Sequence, residues 1–190
     1  LNITVNITSD NRFIASQTFF NDWADGRKQY RMEFFYREMR KQTNVLMDDK
    51  QPVGGKWNYD AENRKPFGKN PYIPERTQFT PDSTTTDVLT LVETQFSDHF
   101  GDLTNFAFAV TREGALAVLS EFIETRLIDY GQYQDAMLEG NPWLFHSHIG
   151  LYLNTGLLMP YEVIQAAEEA FLNGHVPINS AEGFIRQILG

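Results

Sequence analysis

The 190 residues are 42% hydrophobic and 14% aromatic, enough to bury a sizeable core as one domain or two small ones. A formal net charge of −9 excludes a general polyanion-binding role, because Lys and Arg supply most non-specific affinity for phosphates; any nucleic-acid surface must be local. With no cysteine, disulfides, thiolate metal sites and iron–sulfur ligation are excluded within these residues. No apolar run reaches the ~18 residues that span a bilayer, and no basic-then-apolar signal segment opens the chain, so no membrane association and a cytoplasmic location are expected.

The first segment, Leu1-Asn2-Ile3-Thr4-Val5-Asn6-Ile7, alternates apolar and polar residues with β-branched side chains, the pattern of a strand with one buried face. Such a strand needs neighbours, and its sheet is expected upstream. The Asn-x-Thr triplets at Asn2 and Asn6 are read as chance matches without a secretory signal. Ser16 caps a short helix through Trp23, stopped by Gly26. A stronger helix follows with Met32, Phe35, Tyr36 and Met39 on one face; Arg31, Arg37, Arg40 and Lys41 form the other, either a solvated face or a docking surface for nucleic acid or another domain.

From Asp48 to Asp82 periodicity vanishes, and Pro and Gly residues mark a long connector crossing a surface. Within it Gly54-Gly55-Lys56-Trp57 is read as an anchor on the helices; the alternative is antenna or DNA-backbone contact through Lys56 and Arg64. Thr86 is expected to start a helix with Val88, Leu91, Val92 and Phe96 inward. Thr111 starts another that buries Ala115, Leu116, Leu119, Phe122, Ile123 and Leu127. Pro160 suits the first turn of a helix ended by Gly174, and Asn179-Ser180-Ala181-Glu182 reads as a capping box opening the last helix. The sum is about six helices and one unpartnered strand, with both ends reading as cuts in a longer chain.

Chemistry-bearing motifs are sparse. There is no phosphate loop, Gly-rich dinucleotide fingerprint or zinc-protease helix. His146 and His148 stand two apart, the wrong spacing for paired ligands on one helical face, and the acids Asp48, Asp49, Asp60 and Glu62 show no oxygen-ligand spacing; no metal site is expected.

Two regions are distinctive. One runs from Phe34-Phe35-Tyr36-Arg37-Glu38-Met39-Arg40-Lys41 through Asn44-Val45-Leu46-Met47 to Pro52-Val53-Gly54-Gly55-Lys56-Trp57-Asn58-Tyr59-Asp60-Ala61-Glu62-Asn63-Arg64. The other joins Gln134-Asp135-Ala136-Met137, Phe145-His146-Ser147-His148-Ile149-Gly150-Leu151-Tyr152-Leu153-Asn154-Thr155-Gly156-Leu157-Leu158 and Glu182-Gly183-Phe184-Ile185-Arg186-Gln187-Ile188-Leu189-Gly190. In that order they resemble the deoxyribodipyrimidine photolyase-related proteins, the bacterial cryptochrome and (6-4) photolyase branch of the photolyase superfamily.

The resemblance implies a mainly α fold: the helical part of an FAD-binding domain, preceded by one strand left from an N-terminal α/β (Rossmann-like) domain. It divides the chain into residues 1–25, the tail of the α/β antenna domain; 26–84, a helix and long interdomain connector; and 85–190, the first part of the helical FAD-binding domain. It implies FAD as cofactor, damaged DNA as partner, and repair of pyrimidine photoproducts by photoinduced electron transfer from a flipped-out lesion's flavin neighbour. Antenna and iron–sulfur sites fall outside these residues, so the piece is expected to be inactive alone and to bind FAD weakly or not at all. Photolyases hold the FAD phosphates with a Ser-rich turn entering a helix; here it reads His146, Ser147, His148, Ile149 and Gly150, with Gly150 where a second serine is usual. Tyr133 resembles the tyrosine packed beside the flavin, and Gln187 approaches the flavin-facing helix. No catalytic residue is implied within the chain. A cryptochrome-type light sensor shares every one of these residues, and a stand-alone helical interaction module is the remaining alternative. Bare strand edges and uncovered interfaces invite self-association.

Overall fold

A computed structural model describes residues 3–8, 10–68 and 71–190. Among them the chain forms eight α-helices and one small hairpin: α1 (Gln17–Ala24), α2 (Met32–Thr43), β1 (Met47–Asp48), β2 (Gln51–Pro52), α3 (Ser83–Gln95), α4 (Arg112–Thr125), α5 (Leu127–Tyr133), α6 (Gly150–Thr155), α7 (Pro160–Leu172) and α8 (Ile178–Leu189). The mainly α expectation holds. Leu1 and Asn2 of the expected amino-terminal strand lie outside the described residues; among the described ones no strand forms there, and Ile3, Val5 and Ile7 are 77, 75 and 94% exposed. An alternating pattern has no strand to make when no sheet edge adjoins it.

Ser16 caps α1, its Oγ accepting from Phe19 N at 3.1 Å. Phe19, Phe20 and Trp23 of α1 pack on Phe35 of α2, with ring centroids 5.0–6.0 Å apart. On α2 the buried face is Tyr36, Met39 and also Arg40. Arg40 therefore does not belong to an open basic face. The turn after α2 wraps over it: Arg40 donates to Val45 O at 3.3 Å, to Trp57 O at 3.0 Å and to Leu46 O. Arg37, Arg40 and Lys41 all lie 5.5–5.6 Å from the Trp57 ring, so the connector's indole sits against that face, while Arg31 and Lys41 stay exposed.

The connector is more ordered than its composition suggests. Antiparallel β1 and β2 pair Met47 with Pro52 and Asp48 with Gln51, and 3-10 turns follow at Val53–Gly55 and Asp60–Glu62. Gly54 has φ +72°, and a Cβ there would fall 2.1 Å from Tyr59 Oη. The segment docks on α8: Tyr59 N donates to Glu182 Oε2 at 3.0 Å, Asn63 and Asn179 exchange two hydrogen bonds, and Asp60 accepts from Arg186. Lys56 and Arg64 are already paired with Glu62 and Asp60. The connector is thus held against α2 by Trp57 and against α8 by Tyr59 and Asn63.

Helix α3 is capped by Asp82, which accepts from Thr85 N, and not by Thr86. Its Val88, Leu91 and Phe96, expected inward, are 53, 54 and 48% exposed. The helix projects from the body, and no described element covers that face. Thr111 caps α4 as expected, accepting from Gly114 N. Ala115, Leu119 and Phe122 are buried, Leu116 is not, and Leu127 is buried from α5 after the helix breaks at Arg126. Helix α7 starts at Pro160, with Glu162 Oε1 accepting from Met159 N. The capping box expected at Asn179 is not made. Helix α8 starts earlier, after Pro177, and carries Ser180 and Glu182 into the interior.

The core joins α4, α5, α7 and α8 through Phe122, Tyr130 and Phe184, whose rings meet at 4.7–5.8 Å, and through Leu127, Val163, Ile164 and Ile185. Tyr152 joins it from α6 and fixes the strand-like stretch before α4 by accepting Ala109 N at 3.1 Å. No helix among the described residues is long and apolar enough to cross a membrane.

Candidate functional site

The turn between α5 and α6 stands over the helix break at Arg126. Helix α4 presents Ala115, Leu119 and Phe122 to the core, and one turn further the same stripe brings Arg126 inward, fully buried. Its guanidinium donates through Nη1 to His146 O and His148 Nδ1, both at 2.7 Å, and through Nη2 to the Glu121 carboxylate. A guanidinium only donates, so His148 Nδ1 is the acceptor and the ring's proton sits on Nε2, which donates to Trp143 O at 2.8 Å. His148 is neutral. Burial, reinforced by Arg126, His146 and Arg76, pushes its pKa down to about 4 against the opposing Trp143 hydrogen bond. Burial and Arg126 also lower His146.

The loop is braced further. Asn141 Oδ1 accepts from the amides of Trp143 and Leu144, and Arg76 stacks over Trp143 at 3.9 Å from the ring centroid. Leu144 and His148 take left-handed backbone conformations with φ 45° and 57°. Ile149 follows in the right-handed region and plugs the turn into the core. A left-handed residue beside a right-handed one aligns successive N–H groups in one direction, the geometry of an anion-binding nest. The amides of Ser147, His148, Ile149 and Gly150 make no hydrogen bond among the described residues, and neither does the half-buried Ser147 hydroxyl. Gly150 faces open space.

Tyr133 is brought beside this turn: its ring stacks on Phe67 at 4.8 Å and leans on Phe145 at 5.2 Å. A shallow concavity edged by Arg64, Lys65, Phe67 and Asp135–Leu138 adjoins the stack. Gln187, by contrast, lies on the exposed side of α8 and makes no hydrogen bond to the turn. Ser147 caps nothing, since Ile149 precedes α6 without a side-chain cap. His148, named from the sequence for its place in the motif, turns inward and has both ring nitrogens engaged. Sequence reasoning missed Arg126, Trp143, Arg76 and Phe67. Only Arg126 left a signal, as a charge at the core spacing of α4.

Unpaired amides and a hydroxyl over a buried guanidinium suit an anionic oxygen, so these residues fit the phosphate end of a nucleotide cofactor. The fold and this turn define a mainly helical protein with an open turn rich in unpaired donors.

Residues 1–108 match the family model described as deoxyribodipyrimidine photo-lyase-related protein, and the chain belongs to that family. The (6-4) photolyase of Agrobacterium fabrum is 50% identical to it over 188 residues, covering 99% of this chain and 37% of the relative. The chain thus spans little more than a third of that relative's length. The turn lies beyond the family-model match but inside the stretch aligned with the relative.

Proposed function

We propose that this chain is part of a light-dependent FAD flavoprotein that repairs (6-4) photoproducts in DNA, and that residues 146–150 contact the FAD phosphates. The 50% identity to a (6-4) photolyase along 99% of the chain carries this reading. The unpaired donors at the turn support it locally. Residues 1–25 then belong to the tail of an α/β domain, 26–84 to a helix and interdomain connector, and 85–190 to the first part of the helical cofactor domain.

FAD, when bound, supplies the photochemical electron transfer to the lesion. This chain's residues hold and orient it. Ser147 and Gly150 offer donors to phosphate oxygens, Tyr133 provides an aromatic wall, and Gln187 sits on a helix leading toward the ring system. The turn is open and nothing here encloses a ring, so the 190 residues by themselves bind FAD weakly.

The test is a flavin absorption spectrum of the protein that carries this chain, followed by blue illumination with a (6-4)-lesion oligonucleotide. Bound flavin with light-dependent lesion loss is expected. Bound flavin without repair would favour a light sensor, and absence of flavin would overturn the reading.

A further inference from the structure

We propose that Arg126 is the positioning residue of the turn: its guanidinium, bonded to His146 O and His148 Nδ1, holds His148 left-handed and so aims the Ser147–Gly150 amides outward. The inference rests on the reading of that turn as the phosphate contact. Three observations carry it beyond that reading. First, a non-glycine residue at φ 57° persists only where its surroundings hold it, and Arg126 and Trp143 O engage both nitrogens of the His148 ring. Second, one Nη1 atom reaches both the carbonyl of His146 and the ring of His148, so a single buried group fixes the two residues flanking Ser147. Third, the other arm of the guanidinium is itself held. Glu121 takes Nη2, and the Phe122 ring lies 5.7 Å from the guanidinium carbon.

The guanidinium is fully buried against the turn, and Glu121 is the carboxylate paired with it. A phosphate at the turn therefore meets unpaired backbone donors beside a guanidinium–carboxylate pair whose charges offset each other, so positioning of those donors is what Arg126 supplies. Lysine at this position keeps the charge but loses the planar fork whose Nη1 serves His146 O and His148 Nδ1 while Nη2 is held by Glu121. Methionine loses both.

The experiment follows the nitrogen and amide resonances of the flavin-free protein that carries this chain by NMR during titration with FAD, with inorganic pyrophosphate as a second probe. In the unsubstituted chain His148 shows a protonated Nε2 and a bare Nδ1, and the Ser147–Gly150 amides shift as FAD is added. In Arg126→Lys the shifts saturate at about tenfold or higher FAD concentration, as loss of a hydrogen bond to a charged group implies. In Arg126→Met they vanish. Hydrogen exchange at Phe122, Val163 and Ile164 stays protected in Arg126→Lys, which separates positioning from general stability. A protonated Nδ1 in the unsubstituted chain overturns the inference without any substitution. Equal FAD responses in the Lys variant and the unsubstituted chain overturn it while leaving the phosphate reading intact. No amide response to FAD or pyrophosphate in the unsubstituted chain overturns both.

Discussion

Gly131 lies where α5 crosses α8, and replacing it with alanine tests that crossing. A Cβ at this position falls 2.8 Å from Ser180 Cα, Ser180 Oγ and Asn179 Nδ2. Ser180 Cα is backbone and cannot rotate away. Carbon atoms prefer separations of about 3.5–4.0 Å, so α8 must retreat by roughly 1 Å. That movement stretches two hydrogen bonds of 3.0 Å, Gly131 N to Ser180 Oγ and Ser180 Oγ to Ile128 O. Overpacking costs about 1–3 kcal/mol. Each weakened hydrogen bond costs about 1 kcal/mol more, and the better helix propensity of alanine returns about 1 kcal/mol. The net expectation is a loss of about 2–4 kcal/mol, or a fall in Tm of roughly 5–12 °C for a chain of this size. Urea unfolding followed by circular dichroism measures it as a lower midpoint at unchanged slope. Gly150→Ala, where an added Cβ meets nothing within 4 Å, is the control and stays within about 0.5 kcal/mol. If Gly131→Ala unfolded with the control, α5 and α8 would not meet at this glycine.

Arg40→Met is expected to lower stability by about 3 kcal/mol or more in the same assay, because the carbonyls of Val45, Leu46 and Trp57 lose a buried donor. A variant as stable as the unsubstituted chain would show that water replaces the guanidinium. For His148 the folded pKa of about 4 lies below the ordinary 6.5, so the unfolded chain takes up its proton first as pH falls. Stability from this group is complete above pH 6.5 and is lost between about 6.5 and 4. After discount for partial solvent access the loss is on the order of 1–2 kcal/mol. Asparagine tolerates a left-handed φ, so the pH-dependent difference in midpoint between the unsubstituted chain and His148→Asn isolates it; parallel curves would refute the assignment of the neutral ring. Gly150→Ser has room for its hydroxyl and is expected to strengthen FAD binding several-fold by titration. Unchanged or weaker binding would remove Gly150 from the phosphate contact.

The helices were legible wherever a strong local signal stood alone. Ser16 and Thr111 cap α1 and α4 as their side chains predict, Pro160 opens α7, and the stripe of Ala115, Leu119 and Phe122 marks a buried face. Those are short-range effects, set by a hydroxyl reaching an amide three residues on or by the 3.6-residue period. Family membership was legible too, because ordered segments from Phe34 to Gly190 carry it.

Tertiary structure alone decided the rest. Val88, Leu91 and Phe96 have the spacing of a core face, yet no described element covers them. Ile3, Val5 and Ile7 alternate like a strand, but pairing needs a neighbour that spacing cannot supply. The Ser180–Glu182 segment looks like a helix start. It lies inside α8 because Gly131 N and Tyr59 N, 49 and 123 residues away, provide donors that outweigh a local cap. Arg40 reads as part of a basic face until folding sets three carbonyls around it, and the core spacing of Arg126 does not announce the imidazole and carboxylate that meet it. Sequence fixes which residues are able to bury, cap or donate; which buried groups meet depends on long-range partners, and the candidate turn owes its geometry to Arg126, 20 residues before His146.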